Sequence, residues 1–105
     1  MSDAPAPDDD AIRRGRIRVP EHVVFRAFED ETVLLNLHTG TYHGLNATGG
    51  RFLELAKESG SLVTASEQIA NEDNHPVDDV VRDMLDLCRE LAVRDLIEID
   101  DAAAG

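Results

Sequence analysis

Residues 36–50 read NLHTGTYHGLNATGG. Two histidines and four glycines in fifteen residues could mark a ligand loop for metal or phosphate, but the periodicity points to architecture. Residues 32–37, TVLLNL, lead into the stretch and are rich in strand-forming side chains. His38, Thr39 and Gly40 then make a short turn, with glycine where a positive φ is useful. Residues 41–45 (Thr41, Tyr42, His43, Gly44 and Leu45) follow as a strand. Alternation sets Tyr42 and Gly44 on one face, and Thr41, His43 and Leu45 on the other. Asn46 is a good N-cap. Beyond it the apolar period lengthens from two residues to three and four, with Phe52, Leu53 and Ala56 on one helical face.

Upstream, residues 22–28 (HVVFRAF) read as another strand, joined to residues 32–37 by the polar turn EDE. Downstream, Ser59-Gly60-Ser61 ends the first helix. A second, short helix fits residues 64–71, with Thr64 and Glu67 as a capping box. Asn74-His75-Pro76 opens a third helix, proline being tolerated at a helix start. Its stripe is Val77, Val80, Val81, Met84, Leu85, Cys88, Leu91 and Ala92. Residues 96–99, LIEI, pack back as a short extended segment. The expected class is α+β and winged-helix-like: a three-stranded antiparallel meander followed by three helices, βββααα. Residues 22–100 form the domain. Residues 1–21 are expected to be a disordered arm and 101–105 a disordered tail.

The chain has 105 residues, which fits one domain with a small core. It carries a formal charge of −12, and residues 23–105 alone hold 17 acids against 6 bases. Such a surface repels phosphate backbones, so nucleic acid is not an expected partner and a cationic peptide or protein surface is. The arm carries the cluster RRGRIRVP, beside an acidic head that can neutralise it. No apolar run is long enough to cross a membrane, and MSDAPAPDDD lacks a signal core, so the expected location is cytoplasmic. The single cysteine, Cys88, excludes an intramolecular disulfide and reads as a small core residue.

No constellation of catalytic type stands out, and the chain reads as a non-enzyme without a cofactor. His38 and His43 lie five apart across a turn, with no cysteine near and no metal-site spacing. Gly40, Gly44, Gly49 and Gly50 match neither a dinucleotide fingerprint nor a P-loop. Gly49 and Gly50 fall inside a helix at about 1 kcal/mol each relative to alanine, so an offsetting gain such as close approach of another backbone is expected there. The acids of the third helix lie on its polar face among Arg82, Arg89 and Arg94. What remains is a sheet edge along residues 41–45, where an extended peptide could add as one more strand. A winged-helix DNA-binding regulator and a dimerising adaptor are the alternatives, the first opposed by charge.

Two stretches resemble the PqqD-like family: LLNLHTGTYHGLNATGGRFLEL at 34–55 and VVRDMLDLCRELAVRDLIEI at 80–99. The family includes the pyrroloquinoline quinone synthesis protein PqqD and the RiPP recognition elements. The resemblance implies a small non-catalytic domain that binds the leader segment of a ribosomal precursor peptide. It would present that peptide to a maturation enzyme: a radical SAM enzyme in the quinone pathway, or a leader peptidase in lasso peptide pathways. It further implies a leader strand added along Thr41, Tyr42, His43, Gly44 and Leu45. The leader would lie in a groove beside the third helix, floored by Val77, Val80, Val81 and Met84. The chain would work as a monomer or weak dimer. Asp95 stands where the family often has a glycine after the last helix, and the N-terminal arm has no counterpart in the family pattern.

Overall fold

A computed structural model describes residues 8–100 of the chain. The elements run α1 (Asp9–Arg14), β1 (Arg16–Arg18), β2 (Val23–Ala27), β3 (Glu31–Asn36) and β4 (Tyr42–Asn46). Then come α2 (Ala47–Ser59), α3 (Leu62–Asp73), α4 (Val77–Val93) and β5 (Glu98–Asp100). β2, β3 and β4 form the antiparallel meander, with Leu34 opposite Phe25 on one side and His43 on the other. The α+β meander followed by helices is therefore present, with additions at both ends.

The period change at Asn46 has the expected outcome. Its side chain accepts a hydrogen bond from the Gly49 amide at 2.8 Å and starts α2. The second helix begins earlier than the capping box at Thr64 suggests. Ser61 is the N-cap, accepting from the Thr64 amide at 3.1 Å. Starting there brings Leu62 fully into the core. Pro76 is the N-cap of α4 and makes no side-chain bond, because its ring carries no acceptor for the first-turn amides.

The inner face of the sheet supplies Leu34 and Leu45 to the core, and the helices add Phe52, Leu53, Leu62, Ile69, Leu85 and Leu91, among others. Each such side chain contributes about 1.5–3 kcal/mol on full burial. α2 presses close to β3. A Cβ at Gly50 would lie 2.9 Å from Thr32 Cβ and closer still to its hydroxyl, so the glycine is required by the neighbour across the gap. Cys88 is fully buried in α4, and burial pushes its thiol up to about 12.

The expectation of a disordered arm over residues 1–21 is corrected from residue 8 onward; residues 1–7 and the expected tail at 101–105 lie outside the described residues. α1 packs on α4 and α3 through the fully buried Ile12. β1 pairs with β5, Ile17 opposite Ile99. The arginines that looked like a solvated cluster are partly matched with acids. Arg18 bonds Glu98 and, at 3.2 Å, Asp100, while Asp9 reaches back to Arg89. Ile12 and Ile17 are two isolated apolar residues in a polar segment. No periodicity announces them, because one lies on a helix and the other on a strand.

Two measurements check this packing. Gly50→Ala is expected to destabilise the chain by about 1–2 kcal/mol in urea denaturation, overpacking against Thr32 outweighing the helix-propensity gain. The Cys88 thiol is expected to resist alkylation in the native chain even above the ordinary thiol pKa range, and to react at once in denaturant.

Candidate functional site

β4 is an edge of the sheet, paired only with β3 among the described residues. The Asn36 amide donates to the Thr41 carbonyl at 2.8 Å, so residues 36 and 41 form a hydrogen-bonded pair. In an antiparallel ladder such pairs alternate with non-bonded ones. With Leu34 opposite His43 and Thr32 opposite Leu45, the main-chain groups of His43 and Leu45 point at β3. Those of Tyr42 and Gly44 therefore point away from the sheet, toward the open edge. Their side-chain faces agree with alternation: Leu45 is buried and His43 half-buried, whereas Tyr42 is 70% exposed.

The turn that delivers β4 is built on Asn36, which is fully buried. Its Oδ1 accepts from the His38 amide at 2.8 Å and the Thr39 amide at 3.2 Å. The Gly40 amide closes the turn on the Asn36 carbonyl at 2.8 Å, with Gly40 at φ 77°. The other end of the same side chain reaches the end of α4: Nδ2 donates to the Asp95 carbonyl at 2.9 Å and lies 3.3 Å from its carboxylate. Asp95 has φ 59°. The Leu96 amide donates to Leu91 and the Asp95 amide to Ala92, a Schellman ending with Asp95 in the left-handed position. This is where glycine would be the low-strain residue.

Between β4 and α4 runs an open groove of about 460 Å³. His43, Gly44 and Leu45 form one wall, Asp83, Met84 and Leu87 the other, and Thr48 and Gly49 of α2 the end. It is continuous through Thr48, Asp83 and Met84 with a second depression of about 330 Å³, where Ile69 and Val80 add apolar floor and Asp73, His75 and Asp79 a polar rim. A larger depression of about 560 Å³ lies on the outer surface of α3, lined by five polar side chains of that one helix. With no second wall it cannot enclose a ligand.

Of the residues singled out from the sequence, Tyr42, His43, Gly44 and Leu45 lie on the edge strand, whereas Thr41 falls in the turn just before it. Val80 and Met84 floor the groove. Val81 faces the core, and Val77, 39% exposed, lines neither depression. Leu87 and Asp83 were missed. Leu87 sits three residues after Met84 and seven after Val80, on the flank of the stripe, so helical spacing carried a signal for it. His38 and His43 do not meet. His38 stacks on His22, with ring centroids 4.1 Å apart, while His43 turns toward the groove.

The meander, the uncovered edge and the groove beside the last long helix make up a small α+β domain with an open strand edge. The chain belongs to the PqqD family, described as coenzyme PQQ synthesis protein D, whose model matches residues 31–97. Among solved structures, TbiB1 in complex with the TbiA(beta) leader peptide superposes with a TM-score of 0.71 at 37% identity, covering 77% of this chain and 94% of that one. Lasso peptide synthetase B1 complexed with the leader peptide superposes with a TM-score of 0.72, covering 79% and 98%. At 19% identity that second likeness is one of fold. No curated protein matches the chain.

Asn36→Ala would strip the partners from two turn amides and from the Asp95 carbonyl. It is expected to cost about 1–3 kcal/mol in chemical denaturation, and to shift the amide resonances of His38, Thr39 and Leu96 together.

Proposed function

We propose that this chain is a leader-peptide-binding RiPP recognition element of a lasso-type pathway. It captures the precursor peptide by strand addition and presents it to a maturation enzyme. The observation that carries the reading is the position of β4: an unpaired edge whose outward amides and carbonyls border an apolar groove on α4. The incoming strand would pair with Tyr42 and Gly44, and its alternate side chains would drop toward Leu45, Met84, Leu87 and Val80. The acids Asp73, Asp79 and Asp83 around the far end favour a cationic residue in the bound peptide.

The 37% identity to a protein solved with a leader peptide supports this choice of ligand. The partner enzyme is a leader peptidase on the lasso reading, or a radical SAM enzyme if the pathway is that of the quinone. The chain itself binds rather than catalyses, and works in the cytoplasm as a monomer or weak dimer. Among the described residues no helix is long and apolar enough to cross a membrane. The DNA-binding alternative gains no support: the solvent face of α4 carries Asp78, Asp79, Asp83, Asp86 and Glu90, which phosphates would repel.

Calorimetric titration with the leader segment of the precursor peptide encoded beside this chain tests the reading. Saturable one-to-one binding is expected, with the amide resonances of Tyr42 and Gly44 moving most. No heat and no shift at β4 would refute it. Gly44→Pro removes an outward donor without breaking the β3 ladder and is expected to weaken binding about 5- to 10-fold at nearly unchanged melting temperature.

A further inference from the structure

The stacked histidines belong to a cluster outside the groove. His22 precedes β2, His38 sits in the β3–β4 turn, and Asp95 follows α4; each offers a ligand atom, and these atoms lie within 4.8 Å of one another. We propose that His22, His38 and Asp95 form a binding site for a divalent first-row transition ion of the Zn²⁺, Co²⁺ or Ni²⁺ type. The proposal stands independently of the peptide reading.

Three features support it. The donor set is two imidazoles and one carboxylate, which suits borderline ions; Mg²⁺ and Ca²⁺ select oxygen ligands instead. The carboxylate is oriented before any ion arrives. Asn36, itself fully buried, holds the Asp95 main chain at 2.9 Å and its carboxylate at 3.3 Å, as outer-sphere partners of metal sites do. His22 Nε2 is hydrogen-bonded to Asp95 Oδ2 at 2.9 Å, about half an ångström inside the roughly 3.3–3.6 Å between ligands of a tetrahedral site with bonds of about 2.0–2.2 Å, so an ion replacing the shared proton needs only a small parting of the two. The remaining closure, up to about 1.5 Å from the 4.8 Å limit, falls to the side chain of His38, which is exposed and can tilt out of its parallel stack. Three protein ligands leave a fourth position for water.

The site also accounts for the aspartate at a left-handed position. Residues with a Cβ are strained at φ 59°, and a carboxylate that ligates a metal there offsets the strain, as glycine could not. A bound ion would pin the start of β2, the turn before β4 and the end of α4 to one point.

The test uses the full untagged chain, freed of metal by a chelator. Zn²⁺ is titrated by calorimetry, Co²⁺ by its visible d–d bands, and thermal melts are run with and without Zn²⁺. One ion per chain at micromolar affinity is expected, with a higher melting temperature in its presence. His38→Ala and Asp95→Gly, the latter keeping the turn's preferred conformation, are each expected to weaken binding by about tenfold or more. Their melts without metal verify that they fold. His75→Ala should bind Zn²⁺ as the parent does. Substoichiometric or millimolar binding, or binding that His38→Ala and Asp95→Gly leave unchanged, would overturn the proposal.

Discussion

The buried side chain of Asn36 ties together the two walls between which a ligand would lie. One end shapes the turn that launches β4, and the other grips the main chain at the end of α4. An amide is suited to this because it offers an acceptor and two donors from one rigid plane. A polar group with no solvent contact costs stability unless it is satisfied. Here the bonds that satisfy it also set the distance between the edge strand and the last helix. Neither wall can shift without breaking one of them.

α4 carries a division of labour along its length. Val81, Leu85, Cys88 and Leu91 turn into the core, while Val80, Met84 and Leu87 form a flank that the sheet does not fully cover. The partial cover follows from the close approach of α2 to β3 at Gly50, which places Thr48 and Gly49 at the closed end of the groove. An uncovered edge next to an apolar flank is an aggregation hazard in general. In this chain it is short, flanked by acids, and interrupted by a glycine.

The N-terminal segment closes the other side of the molecule. Ile12 covers the helical layer, and Ile17 pairs with Ile99 in a two-stranded sheet of its own. The exposed ion pairs of Arg18 with Glu98 and Asp100 contribute little by themselves. The burial of the two isoleucines is the larger effect. This clasp holds the strand after α4 in place, and with it the turn containing Asp95.

Much of this was legible in the residues. Alternation in residues 41–45, the N-cap at Asn46 and the stripe from Val80 to Leu91 are local patterns, and local backbone physics is enough to read them as an edge strand, a helix start and a core helix. The acidic surface, and with it the expectation that phosphate backbones are repelled, needed only a count of charges. What required the tertiary structure were relations between distant residues: the Ile17–Ile99 pairing across 82 positions of chain, the stacking of His38 on His22, and the inward turn of Val81 beside the groove-facing Val80. Periodicity cannot report these. It records which face of an element is apolar, whereas the partner of that face is decided by how whole elements pack, and here by a single buried asparagine that selects which turn meets which helix end.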